Sequence, residues 1–190
     1  APRVRALLAS LTSDVLLEIT LGAALAVLAY SSLAVVLLVA AMASSNVVPL
    51  DVALGLVLGA NLGSGVLAVL TTAKASAPVR QVTMGNLVFK LLGVALATPF
   101  VGMWLQYMRP HLAAPQLVVM FHLALNVAMG LLFIGLTDWV AKAMMRLLPE
   151  PPQPPSSRRP QHLDPSALST PSLAISNAAR EAMHQADLVE

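Results

Sequence analysis

Asn61 and Ser64 are the residues best placed to do chemistry in this chain, and they sit where polar chemistry is least expected. They belong to the run Gly59-Ala60-Asn61-Leu62-Gly63-Ser64-Gly65, in the middle of an apolar segment over residues 52–72. Lipid cannot satisfy backbone N–H and C=O groups, so an unwound patch at membrane depth survives only where protein buries it or water reaches it. The glycines loosen a helix, while the amide and hydroxyl supply oxygens, so the run predicts a broken helix at a solute or ion site. Gly55, Gly59 and Gly63, four residues apart, have a second reading as a seam for close helix packing. An amide at the bilayer midplane is costly without partners, which assigns Asn61 to lining the site or holding the break.

The remaining polar residues within apolar segments form a short set. Ser31 and Ser32 interrupt the first block, where ion ligation and back-bonding to helical carbonyls are both open to them. Asn86 and Lys90 stand four residues apart in the third apolar segment, and His122 and Asn126 repeat the spacing in the last, each pair on one helix face. An ammonium inside an apolar helix marks function unless its stem snorkels to the interface. The His122 and Asn126 pair reads as an interhelical hydrogen-bond clamp. Neither His111 nor His122 has a second His, Asp or Glu at ligand spacing, so no transition-metal site is expected. No acid and histidine are placed to activate a serine, and an enzyme is not expected.

These residues must be positioned by helices in lipid. Of the 190 residues, 57% are hydrophobic and 11% charged, with a mean hydropathy of +0.78, far from the quarter or so of charged residues usual in a soluble domain. The composition predicts an all-α integral membrane protein whose surroundings are the lipid bilayer. A net charge of +2, scattered over the connections, excludes a nucleic-acid partner. Without cysteine there are no disulfides and no thiol chemistry. The chain starts at Ala1 with no leader pattern, and is expected to be a fragment or a processed product.

The first apolar block, residues 15–43, would be roughly 43 Å long as one helix, against a hydrocarbon core of about 30 Å. Two short arms turning at residues 30–33 fit as a re-entrant hairpin, and a tilted single span fits the length as well. Residues 46–51, with Pro49, turn into the broken helix. After a polar connection at 74–80, a long helix over 82–108 is interrupted at Thr98-Pro99, and a last helix covers 116–148. Lys74, Arg80, Lys142, Arg146, Arg158 and Arg159 mark a cytoplasmic side. A re-entrant block puts Arg3, Arg5 and Arg109 opposite, whereas a spanning block leaves only Arg109 there, and the positive-inside rule by itself prefers the latter. Domain organisation is a membrane domain over 1–148, a Pro-rich linker over 149–163 and a soluble helical region over 164–190. Thr170 and Pro171 start a helix there, with Ile175, Ala179, Met183, Ala186 and Val189 at helical spacing, expected to be cut off at Glu190.

With these elements in view, the motifs resemble the sodium/phosphate cotransporter family. The resemblance rests on Tyr30-Ser31-Ser32-Leu33-Ala34, Gly59-Ala60-Asn61-Leu62-Gly63-Ser64, Asn86-Leu87-Val88-Phe89-Lys90 and Phe121-His122-Leu123-Ala124-Leu125-Asn126. The chain is similar to the second of that family's two inverted repeats, and the tail from Leu163 to Pro171 is similar to the lead into the PhoU-like region of bacterial members. The resemblance implies sodium and inorganic phosphate bound between two repeats, with Ser31, Ser32, Asn61 and Ser64 as substrate or sodium ligands. Sodium would sit at Ser31, Ser32 and Ser64, while Gly59, Gly63, Asn86, Lys90, His122 and Asn126 support the site. Tyr30 stands where the family has Gln, and Leu33 where it has the last Ser of the tip.

The implied function is sodium-dependent phosphate transport across the bacterial plasma membrane, with a cytoplasmic C-terminus. No cofactor is implied, sodium being the coupling ion, and the partner needed is the missing first repeat or a second chain. The alternative is a non-transporting membrane scaffold or regulatory protein acting through its PhoU-like tail.

Overall fold

A computed structural model describes residues 14–150, 160 and 162–187; Arg3, Arg5, Arg158, Arg159 and Val189 lie outside them. The described residues form helices and turns without strands: α1 (Val15–Leu28), α2 (Ser32–Ser44), α3 (Leu50–Thr71), α4 (Ala77–Ala97), α5 (Val101–Met108), α6 (Ala114–Phe133), α7 (Thr137–Leu147) and α8 (Pro171–Asp187). The chain divides into two compact units after Pro149.

In the first unit, Leu50–Thr71, Ala77–Met108 and Ala114–Leu147 are long and apolar enough to cross a membrane. Helices α1 and α2, at 14 and 13 residues, reach only about 20 Å each and cannot. Their direction is fixed by contacts with α3. Gly55 faces Glu18, Gly59 faces Ile19 and Ala23, and Gly63 faces Ala23 and Ala26, so α1 and α3 run parallel from the same end. The chain between them must therefore return, and α2 carries it back. Residues 15–44 form a helical hairpin with both ends at the same end of the unit, the shape the re-entrant reading expected.

Local chemistry makes the turn. Asp14 caps α1 through hydrogen bonds from the Leu16 and Leu17 amides, and Tyr30 takes a left-handed φ of 52°. Ser31 then caps α2, its hydroxyl accepting from the Ala34 amide at 3.1 Å, which satisfies one of the orphan donors of a helix start. Asn46, also left-handed at φ 53°, closes the other end of α2, where this residue type tolerates the conformation.

The expected break in α3 is absent. Leu50–Thr71 is one uninterrupted 22-residue helix. Its glycines serve the close approach of α1: an added Cβ at Gly59 would strike the Ile19 carbonyl, and one at Gly63 the Ala23 carbonyl. The same holds in reverse at Gly22, which faces the Leu56 carbonyl. Backbone groups in contact leave no reason to unwind, and the packing reading of the four-residue spacing holds.

Helix α3 is the centre of the unit. Every residue from Val52 to Asn61 is buried, enclosed by α1, by Val35, Val36 and Val39 of α2 and by Leu117, Val118 and Phe121 of α6. Helices α4 and α6 turn Leu91, Leu92, Leu96, Leu123, Val127 and Leu131 outward, a surface suited to lipid rather than water.

The α4–α5 rod is interrupted by a 3-10 turn at Thr98–Phe100, where Thr98-Pro99 predicted an interruption. Pro99 cannot donate to the helical ladder, and the Thr98 hydroxyl donates instead to the Val94 carbonyl at 2.7 Å. A second 3-10 turn, Ile134–Leu136, divides α6 from α7 where a single helix was expected. Gly135 lies in this turn, and the Thr137 hydroxyl donates to the Ile134 carbonyl at 2.7 Å.

In the second unit, the Asp164 carboxylate accepts from the Ser166 amide at 2.9 Å and opens a 3-10 turn, Pro165–Ser169. Helix α8 follows from Pro171, its first bonds made to the Thr170 carbonyl. Glu181 accepts from the His162 amide at 3.0 Å and from the Gln185 side chain at 2.7 Å.

Candidate functional site

Packing of α4 against α3 brings together polar residues far apart in sequence. The helices run antiparallel, tied at one end by the Thr72 and Thr83 hydroxyls, 2.9 Å apart. About two turns further along α4, Lys90 reaches α3 near its midpoint. Its Nζ donates to the Asn61 carbonyl at 3.1 Å, to Asn61 Oδ1 at 3.0 Å and to Ser64 Oγ at 2.6 Å. Ser64 in turn donates to the Asn61 carbonyl at 2.7 Å. The three donors of an ammonium thus meet three acceptors, all neutral oxygens.

This arrangement overturns the snorkelling reading of Lys90. The side chain does not snorkel; it turns inward at a depth of about 16 Å along a helix of about 33 Å. Asn61 is 1% exposed, and its Nδ2 donates to Met129 Sδ at 3.7 Å, so both ends of the amide are engaged. Gly65 makes room for the lysine: an added Cβ there would come 2.9 Å from Lys90 Cδ and 3.2 Å from Leu87 Cδ1.

Lys90 also lines a cavity of about 390 Å³ between α4, α6 and the start of α7. Asn86, Lys90, Asn126 and Thr137 furnish its polar wall, and Phe89, Met129, Phe133 and Ile134 its apolar one. Phe89 and Phe133 stack at 5.1 Å, and Gly93 admits Met129 at close quarters. Asn86, Lys90 and Asn126 therefore line one cavity. His122 and Asn126 do not form the expected interhelical clamp: Asn126 Nδ2 donates to the His122 carbonyl at 2.8 Å, within its own helix. Met129 and Thr137 were missed in the sequence, although Met129 shares a helix face with His122 and Asn126.

Ser31 and Ser32 are placed differently. They lie at the hairpin tip, where the Ser31 hydroxyl accepts one hydrogen bond from its own helix start. No hydrogen bond among the described residues joins them to Asn61 or Ser64. With Ala26 level with Gly63, the tip lies about one helical turn further along α3. Gly59 and Gly63 hold α1, not a solute.

At the two ends of the unit the polarity differs. Asn46, Asp51 and Arg109 line one cavity of about 530 Å³, so the α2–α3 and α5–α6 turns share an end. Gln81 donates to the Leu148 carbonyl at 2.8 Å at the other, where Lys74, Arg80, Lys142 and Arg146 lie near the helix ends.

Residues 1–138 match the Na+/Pi-cotransporter family model. The chain belongs to the Na+/Pi-cotransporter family. It is 42% identical over 188 residues to YjbB of Escherichia coli K12, a protein named provisionally for inorganic phosphate export, covering 98% of this chain and 35% of that relative. The Salmonella typhimurium protein of the same name is 41% identical over 189 residues, with the same coverage. YqeW of Bacillus subtilis, named as uncharacterized, is 28% identical over 132 residues, 68% of this chain and 42% of its own. No solved structure matches the chain significantly. The chain spans about a third of the length of the curated relatives it matches most fully. A transporter family and three apolar spanning helices make this a membrane protein.

Proposed function

We propose that this chain forms one half of a pathway for inorganic phosphate across the plasma membrane. The observation that carries the reading is the Lys90 ammonium, a positive charge at mid-membrane held by neutral oxygens beside a cavity with the amides of Asn86 and Asn126. A buried charge without a counter-ion is costly. An oxyanion in the adjoining cavity lowers that cost, and amide and hydroxyl donors suit its oxygens. Family membership and the relatives' names support phosphate as that anion.

The other half of the pathway, from a first repeat or a second chain, completes the cavity in this reading. Sodium is the coupling ion in this reading, with the tip hydroxyls of Ser31 and Ser32 as its ligands from this half. The end bearing Lys74, Arg80, Lys142 and Arg146 is cytoplasmic by its charge, and residues 164–190 begin a PhoU-like region on that side.

The test is phosphate flux through the complete protein, purified and reconstituted in vesicles loaded with radiolabelled inorganic phosphate. Efflux above that of protein-free vesicles is expected, falling about tenfold or more in Asn86→Leu with Asn126→Leu. Flux equal to that of protein-free vesicles in both directions rejects the reading and leaves the membrane scaffold.

A further inference from the structure

We propose that the Lys90 ammonium takes the place of a dissociable cation in this half: the three oxygens between α3 and α4 form a cation site that the protein fills with its own side chain. The inference deepens the phosphate reading and rests on it for its functional consequence.

Sodium is a hard cation that binds oxygens, and Asn61 O, Asn61 Oδ1 and Ser64 Oγ converge within 3.1 Å of one point. A lysine ammonium carries the same single charge there. Its stem is accommodated by the missing side chain of Gly65. The oxygens are supplied without unwinding α3: one is the Asn61 side chain, one a hydroxyl, and one a carbonyl shared with Ser64.

The substitution alters energetics rather than electrostatics. A free cation couples to an anion only if it binds differently with and without that anion, and can leave. A tethered ammonium contributes attraction to phosphate but never departs, so this site adds no sodium to the transport stoichiometry. Ser64 is thereby withdrawn from the sodium ligands, and sodium dependence must come from the hairpin tip or the other half.

The complete protein is measured in vesicles with inorganic phosphate and either sodium chloride or choline chloride. Lys90→Ala vacates the oxygens and leaves room for an ion, so its flux is expected to fall about tenfold in choline and to recover in sodium, with more sodium ions per phosphate than wild type. Lys90→Met fills the space without charge and is not recovered. Identical sodium dependence in wild type and Lys90→Ala overturns the inference. If no form of the protein moves phosphate, the phosphate reading fails separately, and melting temperature decides the cation site. Greater stabilisation by sodium over choline in Lys90→Ala than in wild type supports it, and an equal shift in both overturns it.

Discussion

Lys90 holds Asn61 twice, through the backbone carbonyl at 3.1 Å and through the side-chain oxygen at 3.0 Å. One residue of α3 thus supplies two of the three partners of the only charge that α4 carries beyond its first turn. Registry between the two helices and hydrogen bonding of the ammonium are therefore a single interaction.

Asn61→Leu removes the side-chain acceptor and the donor to Met129 while leaving the carbonyl. A hydrogen bond to a charged group contributes about 1.5–3 kcal/mol, so a loss of that order in stability is expected, with phosphate flux abolished. Asn61→Asp keeps the geometry but cancels the positive charge, and should retain the melting temperature better than the flux. Thermal unfolding and vesicle flux on the same preparations separate the two effects. Unchanged flux in Asn61→Leu reduces the polar cluster to packing.

Gly59→Ala forces a methyl into the Ile19 carbonyl, and overpacking of this kind costs about 1–3 kcal/mol. Gly102→Ala and Gly130→Ala meet no atom within 4 Å and gain up to about 1 kcal/mol from helix propensity. Melting temperatures of the three variants should therefore split with opposite signs. A Gly59→Ala protein as stable as the parent refutes the backbone contact.

Tyr30 adopts the left-handed region at φ 52° with 73% of its surface exposed, so the ring offers little burial in return. Tyr30→Gly should relieve about 1–2 kcal/mol of steric strain, offset in part by unfolded-state entropy. A net rise in melting temperature is expected, and a fall would show that the ring has a partner outside this half.

Cysteines at Asn46 and Arg109 should react with an impermeant label from one side of the membrane, and cysteines at Lys74 and Leu148 from the other. The cavity shared by Asn46 and Arg109 and the bond between Gln81 and Leu148 require this pairing. Labelling of Asn46 and Lys74 from the same side contradicts α3 as a membrane-spanning helix.

Much of this architecture was legible in the chain. The short arms of the first block allowed the hairpin as one of two fits, Thr98-Pro99 marked the interruption between α4 and α5, and the polar residues inside apolar runs named most of the cluster. The run from Gly59 to Gly65 misled because glycine, asparagine and serine weaken a helix only in isolation; a neighbouring backbone that fills the missing side-chain volume restores it. The bend at Ile134–Leu136 carries no proline and gave no comparable signal. Lys90 could be flagged by its charge, but its partners depend on how α3 and α4 align, which no local pattern encodes. The sulfur of Met129 joined the site for the same reason.

The seam between α1 and α3 also limits how the molecule can work as a machine. With Gly22, Gly55, Gly59 and Gly63 all set against atoms of the opposite helix, neither helix can slide by a turn without driving side chains into main chain. Hairpin and central helix must travel as one piece. In the proposed pathway, any stroke that exposes the Lys90 cavity first to one face of the bilayer and then to the other is expected of α4 and α6, whose ladders are interrupted by the 3-10 turns Thr98–Phe100 and Ile134–Leu136.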